Sequence, residues 1–382
     1  MKPLTTEKIK GQNGEDIVIW GDEQTLTQVP TDYQGAYEVP EGITWIGVDA
    51  IRSCDGITSV FIPKSVRRID MRNFGFCDSL TSIVVDKDNP VYDSRDNCNA
   101  IIVTATNTLI QGCNGTTIPE GVEVIAEDAF VGCYHLQSLR IPASVKYLEP
   151  RFLDYCPSLA SLSVDENNPV YDSRNDCNAI IETETDTLLY CATLVESFVI
   201  PIGVRHIGDG AFKGCRILKF VYIPHSVTSI GEDAFMNCNS LEGEIDLTGI
   251  GLIGNEAFDD CSHLTKVTIG WGLRKISRGA FCSCINLKEL SITGDVREIE
   301  SWAFGRCDSL ESITLPASIE KIEPTAFNEC NRFLGSFWDI LDEKQVWKLF
   351  LCQIICIYEI FYVILRRISK IRGDFMDYGD KN

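Results

Sequence analysis

The cysteine of one short phrase, Ala-Phe-x-x-Cys, returns at a fixed interval, and that interval constrains the fold more than any other feature. AFKGC, AFMNC, AFDDC, AFCSC, AFGRC and AFNEC end at Cys215, Cys238, Cys261, Cys284, Cys307 and Cys330, each 23 residues after the last. Upstream, AFVGC ends at Cys133 and FLDYC at Cys156, and degenerate copies end at Cys54 and Cys77, again 23 apart within each pair. Self-similarity at such a period belongs to solenoids, in which each unit buries its apolar face only against its neighbours. A stack that grows in one dimension has no single-core size limit. The 382 residues therefore need not divide into separate globular domains.

Written from its best copies, the repeat reads L-x-x-[LIV]-x-I-P-x-S-V-x-x-I-x-x-x-A-F-x-x-C. Leu310 to Pro316 shows the first half, Ile319–Ile322 and Ala326-Phe327 the second. The first run alternates like a strand, and the proline after it removes a donor and turns the chain. V-x-x-I is a second short strand. Ala-Phe-x-x-Cys is expected to form a helical or 3-10 turn with Phe as the core plug. The fold class expected is a mainly β repeat solenoid with short helical turns and a separate C-terminal α-helix.

The organisation expected is an N-terminal cap over 1–32, a solenoid over 33–330 and an apolar helix with a polar tail over 331–382. Two coils are longer than the rest, because Cys133 follows Cys77 by 56 residues and Cys215 follows Cys156 by 59. Their extra residues are near-copies, DKDNPVYDSRDNCNAII at Asp86–Ile102 and DENNPVYDSRNDCNAII at Asp165–Ile181. These read as β inserts over about 86–113 and 165–191, with Asn89-Pro90 and Asn168-Pro169 as turn starters. In Leu241–Ile253 the strand is shifted by one and the proline is missing, while Cys261 keeps its phase. That pattern predicts a bulge compensated by a deletion. Val346–Leu365 carries only Lys348, Gln353 and Glu359 as strongly polar residues, with a basic flank from Arg366 to Arg372. It reads as a cap for the solenoid's open end, a helix for a partner or a membrane anchor; translation past the natural end is a further reading.

The net charge of −21 argues against nucleic acid as a partner, since that needs a basic footprint. Ten of the 17 cysteines hold the repeat position, which predicts a ladder of buried thiols rather than a disulfide framework. His135, His206, His225 and His263 replace Ser, Thr, Asn or Arg of other coils and read as surface residues. Cys282/Cys284 and Cys352/Cys356 lack a second pair at zinc spacing. The insert acids (Asp86, Asp88, Asp93 and Asp96; Asp165, Glu166, Asp172 and Asp176) are dense enough for calcium but lack the loop glycine and terminal glutamate of a known calcium loop. No metal, cofactor or catalytic residue is assigned, because no nucleophile–base–orienter set, phosphate loop or dinucleotide fingerprint is present. No N-terminal signal peptide is visible in Met1–Trp20.

Two features point to a binding surface. Stacking lines Arg67-Arg68, Lys146-Tyr147, Arg205-His206, Arg274-Lys275, Arg297-Glu298 and Glu320-Lys321 into one stripe. That stripe is either neutralised by acids of adjacent coils or open to an anionic glycan or protein. On the first strand the outward residues are small and polar, except Phe61, Phe220 and Tyr222. Phe220 and Tyr222 form a candidate protein contact or pack under an insert. The candidate ligand-contact residues are Phe220, Tyr222, Arg274 and Lys275.

The grammar LxxIxIPxSVxxIGxxAFxxC, carried by Leu264–Ile269 and Ile223–Gly231, resembles the BspA-like leucine-rich repeats, as do the NPVYDSRxxCNAII inserts. The resemblance covers about Tyr33 to Cys330. It implies a secreted or surface-attached protein that binds other proteins or host matrix. The function expected is non-enzymatic recognition of a protein or glycan ligand through the extended sheet face. The alternatives are a membrane-anchored surface protein, held through 346–365, whose solenoid is mainly a stalk, and a cytoplasmic location.

Overall fold

The structure, a computed structural model, describes residues 6–20, 23–70 and 73–330, and these form a β-solenoid. The chain divides into two compact units, 1–242 and 243–382. In both, a coil consists of a first strand, a corner, a two-residue second strand and a turn face; the corner carries proline at positions such as Pro63, Pro142, Pro201 and Pro224 of the first unit and Pro316 of the second. Equal coils put equal residues side by side. In the first unit Ser59 pairs with Ser82 and Leu139 with Leu162, and in the second Val267 pairs with Leu290 and Leu290 with Ile313, all parallel. Inward positions of these strands are Val, Ile and Leu, which suit a pleated, half-buried surface. Val60, Ile62, Ile83, Leu139 and Val267 are all buried.

At the N-terminal end of the first unit, Thr6–Lys10, Asp16–Trp20 and Glu23–Gln28 pair antiparallel, and the last of them pairs parallel with Trp45–Ile46 of the following coil. In the second unit, Glu244 faces Lys266 and the register slips between Gly243 and Glu244. The next pair, Lys266 and Glu289, returns to the 23-residue offset. The irregularity expected at Leu241–Ile253 is this bulge. Val346–Leu365 lies outside the described residues. Among the described residues no helix is long and apolar enough to cross a membrane.

The Ala-Phe-x-x-Cys phrase is not helical, contrary to expectation. It is a run of turns, as in Val131 N donating to Asp128 O at 3.0 Å and Cys133 N to Phe130 O at 3.1 Å. In all ten copies the residue before the cysteine has a left-handed backbone, from Ser53 and Phe76 to Arg306 and Glu329, with Gly132 and Gly214 among them. A second left-handed residue precedes the Ala, as at Glu256, Gly279 and Trp302, and N–H groups of the turn face point toward the next coil. Phe258, Phe281 and Phe304 N donate to Ala280, Ala303 and Ala326 O at 2.8 Å. The strands donate the other way, as Arg67 N does to Thr44 O at 2.7 Å and Glu311 N to Lys288 O at 2.9 Å. Gly132 (φ 73°) and Gly214 (φ 75°) hold the same position of the phrase. A Cβ at Gly214 would meet nothing, whereas one at Gly132 would lie 2.7 Å from Phe76 N. Gly214→Ala should therefore cost about 1 kcal/mol, the backbone penalty alone, and Gly132→Ala about 2 kcal/mol. Urea unfolding of the two variants checks the difference.

The interior is built of the two expected columns. In the second unit Phe258, Phe281, Phe304 and Phe327 stack at 5.1–5.3 Å with ring planes within 11° of parallel. In the first, Phe212 and Phe235 stack at 4.8 Å, while Phe130 and Phe152 meet edge-on at 6.4 Å. Beside the rings runs the thiol column of ten cysteines, and none of the fifteen described cysteines is bridged. In several coils Sγ donates to the carbonyl of the Phe one coil back: Cys156 to Phe130 O (3.2 Å), Cys238 to Phe212 O (3.2 Å), Cys284 to Phe258 O (3.3 Å) and Cys307 to Phe281 O (3.3 Å); Cys77 uses Ile51 O and Cys215 uses Ala192 O. Cysteine thus serves as a small hydrophobe whose weak donor meets an inward-facing carbonyl.

Each insert is an antiparallel meander that extends the second-strand sheet of the first unit. Tyr92–Asp93 pairs with Ile101–Val103, which pairs with Thr108–Gln111, which pairs parallel with Val124–Ile125. Tyr171–Asp172, Ala179–Glu182, Thr187–Cys191 and His206–Ile207 repeat the order. Asn89 and Asn168 are more than turn starters. Asn168 Nδ2 donates to Pro142 O (2.8 Å) and Val145 O (3.0 Å), and its Oδ1 accepts from Val170 N and Tyr171 N (both 2.9 Å). Asn89 makes the equivalent four bonds to Pro63, Val66, Val91 and Tyr92. Three residues on, the Tyr92 and Tyr171 hydroxyls accept from Ile69 N and Leu148 N.

Candidate binding surfaces

Phe220 and Tyr222 lie on the strand Phe220–Tyr222 in the first unit. They are 55% and 47% exposed, so no insert covers them. Phe61, in contrast, is half-buried. Val199 is paired with Tyr222 and is itself 65% exposed. Along the same two coils, Leu194, Ile202 and Ile217 are also exposed, Ile202 at 84%. Leu194 and Ile217 are one repeat apart, at the entry to the strands, and Ile202 follows the proline corner. The sequence reading picked out only the two aromatics. The missed signal was positional: Ile202 fills the site after proline that other coils give to Lys64, Ala143 and His225.

The expected basic stripe is largely neutralised by neighbouring acids. Lys146 pairs with Glu123 at 2.8 Å and Arg205 with Asp186 at 3.7 Å, while Arg68 pairs with Asp70 and lies over the Trp45 ring at 4.1 Å. In the second unit Lys275 pairs with Glu300 (2.9 Å), Arg297 with Glu320 (3.3 Å) and Lys321 with Glu298 (2.7 Å). These are exposed pairs of small individual worth, so they set charge balance more than stability. Arg274 departs from the pattern. It is exposed, and among the described residues its side chain makes no ion pair. One repeat back stands Gly251, without a side chain; one repeat on stands Arg297, already engaged.

Two of the insert acids, Asp93 and Asp172, are held by an arginine of the same segment. Arg95 grips Asp93 with Nε at 2.8 Å and Nη2 at 2.6 Å, and Arg174 grips Asp172 in the same way. Burial raises the Asp93 pKa, but the Arg95 and Thr104 hydrogen bonds outweigh it and hold the carboxyl below the usual range. Asp165 accepts from Asn167 N and is paired with Arg140. Among the described residues no three His, Cys, Asp or Glu side chains converge as metal ligands. His135, His225 and His263 are exposed, and His206 Nδ1 lies 2.7 Å from Ser229 Oγ.

The model of the BspA type leucine-rich repeat region matches residues 35–102, 104–178, 182–269 and 251–336. The chain belongs to the BspA-type leucine-rich repeat family. Among solved structures it is similar to a leucine-rich repeat protein from Eubacterium ventriosum, with 18% identity and a TM-score of 0.60 over 86% of this chain and 95% of that one. It is also similar to a leucine-rich cell surface protein from Faecalibacterium prausnitzii, with 20% identity and a TM-score of 0.50 over 86% and 93%. At these identities the likeness is one of fold. Comparison with curated proteins found no match. Within this BspA-type frame, side chains that face out of the strands are free to vary without disturbing the columns, and the departures described above fall at such positions.

Proposed function

We propose that the chain is a non-enzymatic binding protein displayed at a cell surface, and that it docks a protein partner on the first unit around Phe220 and Tyr222. The observation that carries this reading is the concentration of exposed apolar side chains on two adjacent coils: Leu194, Val199 and Ile202 on one, Ile217, Phe220 and Tyr222 on the next. A concentration of exposed apolar side chains of this kind marks an interaction site, and aromatic anchors carry most of the affinity where they are desolvated. The net charge of −21 opposes pairing of two copies and favours a partner of net positive charge with an apolar surface of its own. Surface display is supported by membership of the repeat family and by the description of the Faecalibacterium relative as a cell surface protein.

The test is biolayer interferometry against a panel of purified basic extracellular-matrix proteins, using the full chain and the double variant Phe220→Ser/Tyr222→Ser. A partner bound by the parent should bind the double variant at least about tenfold more weakly. Binding that ignores the double substitution, or no binding to any of the panel, would favour the alternative in which the solenoid is a passive stalk. Self-association lost in the double variant would give the patch to a second copy instead. Protease shaving of intact cells checks the location.

A further inference from the structure

The second unit holds an aromatic side chain that neither the core nor the patch on the first unit explains. Trp271 stands at the corner after the first strand, where the proline of other coils is replaced by Gly270, and it is 70% exposed. Its ring lies along the backbone of Gly249: a Cβ added there would be 3.4 Å from ring carbon Cη2, and Gly249 N donates to Trp271 O at 2.9 Å. One edge of the indole is thus seated on bare backbone while most of the ring is left to solvent. Substituting Gly294 one coil on would overlap the Gly270 carbonyl, so glycines on three successive coils hold this corner in place. The ring is presented by the backbone rather than packed by side chains.

Two charged groups of opposite sign accompany it without partners. Arg274, three residues on, has none among the described residues, for the reason given above. Asp295, one repeat on from Gly272, is exposed and likewise makes no hydrogen bond or ion pair among the described residues. Several other charges of the second unit are paired across adjacent coils: Lys266 with Glu244, Arg278 with Glu256, Arg306 with Glu329. An exposed indole flanked by an unpaired guanidinium and an unpaired carboxylate is complementary to a pyranose. The C–H face of the sugar stacks on the ring, while its hydroxyls donate to the carboxylate and accept from the guanidinium.

We infer that the Trp271 corner is a carbohydrate site that stacks a neutral pyranose of a glycan, with Arg274 and Asp295 gripping its hydroxyls. It deepens the binding reading by naming a second ligand class, and it lies on the other unit, so it stands or falls separately from the Phe220/Tyr222 patch.

The experiment uses the full chain, titrated calorimetrically and by tryptophan fluorescence with cellohexaose, chitohexaose, β-galactotetraose and, as an acidic probe, oligogalacturonate, each up to about 10 mM, which covers weak single-site binding. The expected result is that at least one neutral probe binds with a fluorescence change. Trp271→Ala should abolish that binding, and Arg274→Ala and Asp295→Ala should each weaken it about tenfold, with thermal midpoints unchanged. Phe220→Ser/Tyr222→Ser should leave it intact. The proposal is overturned if no neutral probe binds, or if binding survives Trp271→Ala. It is also overturned if only oligogalacturonate binds and does so independently of Asp295, which would make the corner an anion site.

Discussion

Raising the pH from 8 to 10 should unfold this protein cooperatively, with the thiols as the cause. Burial pushes the Cys54 and Cys98 thiols up to about 11 and Cys77 and Cys156 up to about 12. It drives Cys133, Cys191, Cys238, Cys284 and Cys307 well above the ordinary value. An acid whose pKa is raised by folding keeps its proton in the native state and loses it on unfolding once the pH passes about 9. The unfolded state then binds fewer protons, so stability falls as pH rises. At pH 10 each such thiol costs on the order of 1 kcal/mol. Nine acting together amount to something on the order of 10 kcal/mol, comparable with the whole stability of an ordinary domain. Below pH 8 the same groups contribute nothing to the pH dependence. The check is simultaneous recording of the β-sheet circular dichroism and the ultraviolet absorbance of thiolate. Both should change in one transition. Thiolate appearing gradually near pH 9 while the sheet signal persists beyond pH 11 would show that the column is not sealed. Among the described cysteines, alkylation at pH 8 should reach the half-buried Cys177 and Cys282 first and leave the buried column unlabelled until denaturant is added.

Asn168→Ala should destabilise the first unit by about 4 kcal/mol. The side chain uses all four of its hydrogen-bonding positions, tying the corner carbonyls of Pro142 and Val145 to the insert N–H groups of Val170 and Tyr171. Its exposure is 9%, so the groups left behind find little water. Each buried polar group left unpaired costs about 1–3 kcal/mol, partly relieved by local adjustment. Asn168→Asp should cost a similar amount, because a carboxylate offers no donors and would face two carbonyls. Asn89→Ala should behave alike through Pro63 and Val66. Denaturant unfolding with hydrogen exchange over the insert provides the measurement. A loss under about 1 kcal/mol would mean that the asparagines serve only as turn residues.

The insert asparagines show where sequence reasoning reached and where it stopped. Their residue type and the following proline pointed to a turn, and a turn is present. That the amide also reaches one repeat back to two carbonyls depends on which corner the insert folds over, and spacing carries no such information. The same holds for the turn face. Ala-Phe-x-x-Cys has the short apolar spacing of a helical turn, yet its Phe N–H groups bond to the next coil. A left-handed residue costs about 1–2 kcal/mol unless it is glycine, so Arg306, Glu329 and Tyr155 gave no cue, and only stacking against a neighbour makes the conformation worthwhile. For the candidate sites, Phe220 and Tyr222 were legible as departures from small polar residues. The adjoining Val199 and Ile202 were not, because single exposed aliphatics are unremarkable until two coils place them together.

The period by itself determined the solenoid, the parallel 23-residue register and the inward Phe and Cys columns, because equal slices can bury an apolar face only by repeating it. Charge partnering was decided by the tertiary structure. Lys275 and Arg274 are adjacent and alike in sequence, but one meets Glu300 and the other stands between Gly251 and an Arg297 already paired with Glu320. Which base is left free depends on side chains one coil away on either side, and that neighbourhood exists only once the coils are stacked.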